Sequence, residues 1–361
     1  MATQKIPGRA IKLGTDTAGD VAYYDGAAWT RLPIGTAGQM LTMNEAGTLP
    51  QWETFIYPGT QFGYSVGGIA WGTNTATDAV DKHSFSSDTD AVDHCDTFAL
   101  NSHYACARSV SHGYTMGGEP VPISNRITKF AFASTADGTD VADMINTSGS
   151  NSSNSSGTYG YVSGGANDVN HTPTLWDVIQ KFSVTADLNA TDVGDLTVPK
   201  LLQTSANSTT HGYACGGGSA VDPSLSTFDV IENFPFATDV DATDIANLTI
   251  DRYGGGGHSS LTHGYTSGGN HYQTPGFPAG SYSDVIDKFL FATGADSTDV
   301  GNLHTANSNM GGSSSTENGY IHGGFPYYIT RIDKFSFTTD GNSVDIANLN
   351  LGRDNNDGTQ N

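Results

Sequence analysis

The chain has 361 residues, enough for one large domain or two ordinary ones with a sizeable buried core. Its 45 Gly residues and only 14% charged residues are typical of short strands joined by tight turns and exclude a mainly helical enzyme. The formal net charge of −22 would repel phosphate backbones, so we expect no nucleic-acid partner.

Residues 1–53 are predicted to be a separate β-rich segment, because short apolar runs alternate there with Gly, Asn and Pro turns. The segment is too short to bury a core of its own. It lacks the apolar stretch of a signal peptide, and no run of about 18 apolar residues occurs in the chain. We therefore expect synthesis in the host cytoplasm and no membrane insertion.

The amino-acid sequence of this segment resembles that of bacteriophage tail-fibre and other virion structural proteins. The matching residues are Gly19-Asp20-Val21, Tyr23-Tyr24, the run 32–39 (LPIGTAGQ), Leu41-Thr42 and the run 47–52 (GTLPQW). The resemblance implies a location in the virion, with the segment attached to other virion proteins. Such segments often trimerise, so it also implies a possible homotrimer.

A repeat of about 50 residues fills the chain after this segment. Each copy opens with Gly-Tyr and ends its first strand with a Gly-Gly pair. The pairs are Gly67-Gly68, Gly117-Gly118, Gly164-Gly165, Gly216-Gly217, Gly268-Gly269 and Gly323-Gly324. Their glycines are expected to take positive φ or to admit another backbone closely.

Two further strands follow each Gly-Gly pair. The second strand alternates apolar residues, as in VIDKFLF (285–291), and the third carries a TDV or TDI run. Together with a Ser/Asn/Thr-rich stretch before the next Gly-Tyr, this makes four short strands per repeat, which is typical of a propeller blade. The sequence therefore predicts an all-β fold, with a six-bladed β-propeller over residues 54–361.

The repeat resembles the Kelch propeller repeat, because Arg252 and Arg353 stand where the Kelch arginine falls. The Kelch tryptophan of the outer strand is absent, so only the shape is expected to be Kelch-like. The last copy ends just after Arg353, and the final stretch LGRDNNDGTQN is predicted to complete the first blade and close the ring.

Catalytic and metal-binding signatures are scarce. The repeated Asp of the TDV runs and the histidines before Gly-Tyr (His112, His211 and His263) are interpreted as turn residues, since neither set has metal-ligand spacing. The three cysteines, in no CxxC motif, are expected to be reduced, with Cys106 and Cys215 buried in blade strands. No nucleophile elbow, P-loop or HExxH motif occurs, so we expect no enzymatic activity, metal or cofactor.

The variable part of the repeat is the loop that follows each Gly-Gly strand. In a propeller these loops emerge on one face, and they carry aromatic residues beside Asn, Asp and His, as sugar or protein recognition requires. The predicted ligand-binding residues are Trp71, Trp176, Tyr272, Tyr282, Tyr327 and Tyr328. For any single one of these residues, the alternative interpretation is that its side chain packs the loop and binds no ligand.

These features favour a non-enzymatic phage virion protein: a fibre, receptor-binding or capsid-decorating protein. Its propeller would bind a host surface glycan or another virion protein. Two alternatives remain open. One is a virion-borne enzyme that degrades polysaccharide, because a pair of carboxylates close in space is not visible in sequence. The other is a bacterial adhesion or scaffold protein.

Overall fold

The computed structural model describes residues 13–15, 17–35, 39–43, 48–54, 59–118, 123–167, 174–219, 226–271, 281–326 and 329–361. The chain divides into two compact units, Met1–Ile56 and Tyr57–Asn361. All regular structure in the described ranges is β. Within them, no helix has the length and apolar character that crossing a membrane would need.

The N-terminal unit contains two hairpins: β1 (Val21–Tyr24) with β2 (Trp29–Leu32), and β3 (Gln39–Met43) with β4 (Pro50–Thr54). Asp20 organises the first hairpin, because its carboxylate accepts hydrogen bonds from the Thr17 and Ile34 amides and from Arg31. These bonds, led by the one from Thr17, lower the pKa of Asp20 to about 2. No described residue of this unit belongs to the buried apolar core.

The second unit is a six-bladed β-propeller, which confirms the predicted fold class and blade number. Blade I contains β5 (Phe62–Ala70), β6 (Thr75–Ser84) and β7 (Val92–Asn101). Blade II contains β8 (Ala105–Arg108), β9 (His112–Met116), β10 (Arg126–Ala131) and β11 (Thr139–Asp143). Blade III contains β12 (Ser152–Ser155), β13 (Tyr159–Ser163), β14 (Val178–Ser183) and β15 (Thr191–Asp195).

The remaining blades repeat this order, with two short hairpins in their loops. Blade IV contains β16 (Thr204–Asn207), β17 (His211–Cys215), β20 (Val230–Pro235) and β21 (Thr243–Asn247), with β18 (Gly218–Ser219) paired to β19 (Ser226–Thr227). Blade V contains β22 (Gly256–Ser259), β23 (His263–Ser267), β26 (Val285–Leu290) and β27 (Thr298–Asn302), with β24 (Asn270–His271) paired to β25 (Ser281–Tyr282). Blade VI contains β28 (Gly311–Ser314), β29 (Asn318–His322), β30 (Arg331–Ser336) and β31 (Val344–Asn348).

The C-terminus closes the ring, as the sequence predicts. Strands β32 (Arg353–Asp354) and β33 (Asp357–Gln360) both pair antiparallel with β5, and β33 is the inner strand of blade I. The six inner strands β33, β8, β12, β16, β22 and β28 neighbour one another around the axis. Blade I is therefore built from both ends of the propeller sequence.

The Gly-Tyr pair explains how neighbouring blades pack. A Cβ on Gly212 would lie 2.6 Å from the ring of Phe234 in its own blade, so only glycine leaves room for that ring. Tyr213 is buried and stacks on Phe291 of the next blade, with ring centroids 4.7 Å apart. Such offset aromatic pairs add about 0.5–1.5 kcal/mol each to the burial of their area. The repeated motif thus encodes the blade-to-blade contact.

The Gly-Gly pairs take positive φ in all six blades, which confirms that prediction. In blade IV, Gly216 has φ 63° and Gly217 has φ 106°, and a Cβ on Gly216 would lie 2.5 Å from the Arg252 carbonyl oxygen. A backbone segment therefore does approach the pair closely. Cys106 and Cys215 are buried as predicted, and Cys95 is buried as well.

Buried ion pairs fasten three of the blade junctions. The pairs are Arg353 with Asp81, Arg252 with Asp287, and Lys200 with Glu232, and all six side chains are nearly inaccessible to solvent. Each acid sits in the third strand of a blade, and each base comes from the segment that leads into that blade. Both residues aligned with the Kelch arginine are thus structural, holding adjacent blades in register.

Candidate binding face and axial cavity

The loops predicted to bind a ligand emerge on one face of the propeller. Successive strands of a blade are antiparallel, so the loop between strands two and three lies at the same end as the segment leading to the next blade. We call this end the loop face. The chain enters β5, the second strand of blade I, at the opposite face.

Three of the six predicted binding residues lie in the described part of this face. Trp71, at the tip of the β5–β6 hairpin, is 61% exposed. Trp176 is half-buried, and its indole N–H is buried without a hydrogen-bond partner. Tyr282 is half-buried and meets Phe325 of blade VI edge-on, with centroids 5.8 Å apart. Tyr272, Tyr327 and Tyr328 lie outside the described residues.

The two half-buried residues, Trp176 and Tyr282, each make contacts within the loop face. The backbone N–H of Trp176 donates to the Gly165 carbonyl at 2.9 Å, and the Lys200 N–H donates to the carbonyl of Trp176 at 3.3 Å. The Tyr282–Phe325 contact joins the loops of adjacent blades. The ring contact thus gives Tyr282 a packing role, whereas the bonds at Trp176 involve only its backbone. Of the three described residues, Trp71 is the most exposed. Ligand binding by the predicted set stays a prediction.

A closed circle of backbone hydrogen bonds surrounds the propeller axis at the loop face. Its six members, one from the segment before each inner strand, all have φ between 50° and 66°. They are His103, Ser150, Leu202, Gly254, Asn309 and Asn355. Each N–H donates to the carbonyl of the same position in the preceding blade, over distances of 2.5–3.0 Å. We call this circle the collar. Since positive φ costs a non-glycine residue about 1 kcal/mol or more, the closed circle must hold these residues in place.

The collar opens into a cavity on the propeller axis. The cavity has a volume of about 80 Å³ and is lined by the collar and the first residues of the inner strands. At the far end of the inner strands, the buried Arg108 donates from Nη1 to the Gln360 carbonyl at 2.6 Å, and its amide donates to Ser155 Oγ. The Arg108 side chain thus links neighbouring inner strands at the end away from the cavity.

Asp357 supplies the carboxylate of this cavity. Its oxygens accept hydrogen bonds from the Cys106 amide at 2.6 Å and the Gly358 amide at 2.7 Å. Burial nevertheless raises its pKa to about 7, since these two bonds offset only part of the desolvation. Among the described lining residues there is no Lys or Arg, so the charge of Asp357 has no cationic partner there.

Several polar atoms at the cavity wall have no hydrogen-bond partner. Ser150 and Ser152, both about 3% exposed, have unpartnered Oγ atoms. The amides of Gln203 and Asn356 donate from nitrogen to Ser163 and Ser65, which leaves their oxygens unpartnered. These oxygens are closed to solvent, so each lacks the hydrogen bond that most buried polar atoms make.

Sequence reasoning missed this cavity. The Ser/Asn/Thr-rich stretch before each Gly-Tyr was recognised as part of the repeat, but it was not assigned to the axis. Its polar composition is the signal that could have found the site, because a strand with four polar residues in a row does not face an apolar core.

A cluster of buried histidines lies between blades I, V and VI. The Nε2 atoms of His83 and His322 are 3.0 Å apart, and both approach Ser313 Oγ. Burial lowers the pKa of His83 to about 3 and that of His258 to about 4, and it lowers the pKa of His322 well below its usual value. His103 of the collar is lowered to about 4 by burial as well. All four are therefore neutral in the folded protein near neutral pH.

We expect the free energy of unfolding to fall as the pH drops from about 6.5 to 4. The unfolded chain protonates these histidines below about pH 6.5 while the folded chain does not, and each such proton changes stability by about 1.4 kcal/mol per pH unit. Asp354 and Asp357, with pKa values raised to about 6 and about 7 by burial, act in the opposite direction. Among the described residues, burial lowers the pKa of eight histidines and raises the pKa of five aspartates, so acid destabilises. Chemical denaturation at several pH values measures the effect.

The double variant His83→Phe/His322→Ser tests the assignment. The residue aligned with His83 is Phe in the other five blades, and the residue aligned with His322 is Ser in two blades. Both substitutions therefore fit the repeat. The slope of the free energy of unfolding against pH should decrease by the equivalent of about two protons. His304→Gln, at an exposed position, is the matched control and should leave the slope unchanged. A wild-type stability that is equal at pH 7 and pH 4.5 would contradict the prediction.

Within the described ranges, no group of three or more His, Cys, Asp or Glu side chains is placed to hold a metal ion. No protein-family model matches the chain, and no curated protein matches it in sequence. The fold therefore defines the class: a six-bladed β-propeller with a loop face and a polar axial cavity. This architecture is compatible with a binding or scaffold role.

Proposed function

We propose that the protein is a non-enzymatic phage virion protein that acts as a fibre, receptor-binding or capsid-decorating protein. Its loop face binds a host surface glycan or another virion protein. The observation that carries the binding role is that the second strand of every blade ends, and the third begins, at the face where the polar axial cavity opens. Loops on a rigid scaffold are the usual place for recognition.

The N-terminal unit supports attachment through residues 1–53. Its described part exposes Tyr24, Trp29, Ile34 and Leu41, each by 47–57%, although the unit has no buried core there. A surface of this kind is stabilised when a partner or a second copy of the chain covers it. We propose that other virion proteins cover it, or that the unit forms a homotrimer. A monomer in sedimentation of the intact protein would contradict the trimer.

The entry point of the chain also supports this arrangement. Gly59 and Thr60 donate hydrogen bonds to the Ser314 and Asn361 carbonyls at the face opposite the loops. Residue 59, the first described residue of the propeller, therefore lies at the face opposite the loops. A binding module that is tethered through this end of its chain keeps its loop face free for a large partner.

Purification of the phage particle followed by mass spectrometry tests the virion assignment, and absence of the chain from the particle would end the proposal. Incubating the protein with host envelope polysaccharide separates binding from catalysis. Retention of intact glycan supports the binding protein. Release of reducing ends would instead support the alternative of a virion-borne polysaccharide-degrading enzyme.

Trp71→Ala is expected to weaken adsorption to the host surface at least about tenfold, because exposed Trp residues supply much of the energy at binding hot spots. Leu188→Ala is the matched control: it is also 61% exposed, but it lies between strands three and four, at the opposite face. Both variants should keep wild-type stability within about 0.5 kcal/mol. Equal adsorption by the two variants would contradict a role of Trp71 in binding the host surface.

A further inference from the structure

The junction that closes the ring, between blades VI and I, differs from the other five at a buried position. The residue whose ring lies over the glycine of Gly-Tyr is Phe in blades II–VI, but it is His83 in blade I. A Cβ on Gly63 would clash with the imidazole of His83, so this ring takes the place of the phenylalanine ring. The junction therefore has a group that can take up a proton where the other blades have an apolar ring.

A hydrogen bond between two imidazoles crosses this junction. His83 Nε2 of blade I lies 3.0 Å from His322 Nε2 of blade VI, and Ser313 Oγ lies 3.4 Å and 3.0 Å from the same two atoms. Both rings are buried, with 3% and 0% exposure. One ring must donate and the other accept, because two N–H groups cannot bond to each other. The bond therefore joins the two blades only while at least one ring is neutral.

The junction has no acceptor for an additional proton on this pair. The Nδ1 atoms of His83 and His322 are both buried, and neither has a hydrogen-bond partner in the part of the chain that the structure describes. A first proton therefore creates a buried cation with an unpaired N–H group. A second proton sets two N–H groups and two positive charges against each other. Separation of the blades relieves both costs, because water then solvates the charged rings.

The groups around the pair do not stabilise a proton on it. The titratable and charged side chains that pack there are Tyr320, His258, Arg353 and Asp81. Tyr320, with its ring centroid 5.1 Å from that of His83, is neutral, since burial raises its pKa. The carboxylate of Asp81 is paired with Arg353. Burial and the two neighbouring histidines lower the pKa of His322, and the positive charge of Arg353 lowers it further.

Two other buried histidines cross blade junctions, but their bonds survive protonation. His94 of blade I has its Nε2 3.0 Å from the Ala131 carbonyl oxygen of blade II. His258 of blade V has its Nδ1 3.2 Å from the Ser313 carbonyl oxygen of blade VI. A carbonyl oxygen accepts from a protonated ring as it does from a neutral one. Acid therefore removes a bond at the junction between blades VI and I and keeps the bonds at these two.

We propose that the junction between blades VI and I is an acid-sensitive switch: protonation of the His83–His322 pair parts these two blades before any other junction opens. Each ring that is protonated only after the blades part increases the opening equilibrium about tenfold per pH unit below about pH 6.5. The ring then opens beside the blade that contains the C-terminal strand β33. The switch is independent of the ligand that the loop face binds.

Hydrogen exchange of the full-length protein, measured by mass spectrometry at pH 7 and pH 5 and corrected for intrinsic rates, tests the switch. The double variant His83→Phe/His322→Ser is the comparison. Between the two pH values, protection of β6, β28 and β29 should fall at least about tenfold more in the wild type than in this variant. Protection of blades III and IV should fall equally in both proteins, within about threefold. The control His304→Gln should behave as the wild type does.

Two results would overturn the proposal. One is the same pH dependence of β6, β28 and β29 in the wild type and the double variant. The other is a loss of protection in the wild type that is uniform over all six blades, which would show cooperative unfolding without a local opening. If the double variant does not fold, His322→Ser alone removes one of the facing rings. Its loss of protection should then be smaller than that of the wild type, and an equal loss would overturn the proposal as well.

Discussion

Deleting residues 357–361 is expected to unfold the propeller at ambient temperature. The deletion removes β33, which pairs with β5 from Asp357–Val66 to Gln360–Gly63 and stands between β28 and β8 in the inner ring. The loss should exceed about 5 kcal/mol, which is comparable to the whole stability of many domains. Circular dichroism during thermal and denaturant unfolding measures it.

A peptide of residues 357–361 supplies the control for this truncation. Added in trans, it restores β33, so the cooperative transition should return at saturating peptide. A scrambled peptide of the same composition should have no effect. A truncated protein that retains a wild-type transition without peptide would show that the ring does not depend on β33.

Arg353→Met is expected to destabilise the propeller by about 3–5 kcal/mol, because it leaves the Asp81 carboxylate buried without its cation. Both side chains of the pair are at most 2% exposed. The Asn350 amide and side chain still donate to Asp81, but they carry no compensating charge. The free energy of unfolding from urea titration measures the loss.

The double variant Arg353→Met/Asp81→Leu separates charge from packing. With both charges removed, stability should return to within about 1–2 kcal/mol of the wild type. Arg126→Met is the control, because its pair with Asp140 is 3.5 Å long and exposed, and such pairs contribute at most about 1 kcal/mol. Additive losses in the double variant would contradict the ion-pair explanation.

The blade number could be predicted because the repeat encodes contacts that every blade makes. The glycine of Gly-Tyr leaves room for an aromatic ring, as Gly212 does for Phe234, and the tyrosine stacks on the next blade. The Gly-Gly pair needs positive φ in each copy. Such requirements fix residue identity, so they recur at a constant spacing and are visible in the sequence.

The axial cavity and the collar could not be predicted in the same way. The inner strands share no residue type: they read ACAR, SSNS, TSAN, GGHS, GGSS and DGTQ. The collar is held by backbone bonds, so positions as different as Leu202 and Gly254 serve equally. The pairing of Arg353 with Asp81 joins residues 272 positions apart, and no local pattern reveals such a partner.

Strand β5 gives the propeller a mechanical property. It begins close to the first described residue of the propeller, and it pairs with β6 on one side and with β33 and β32 on the other. A force that pulls on residue 59 while the loop face holds a partner acts along the strand axis. Many hydrogen bonds then share the load in shear instead of opening one after another. The resistance to pulling is thus concentrated in the blade that also carries the other end of the chain.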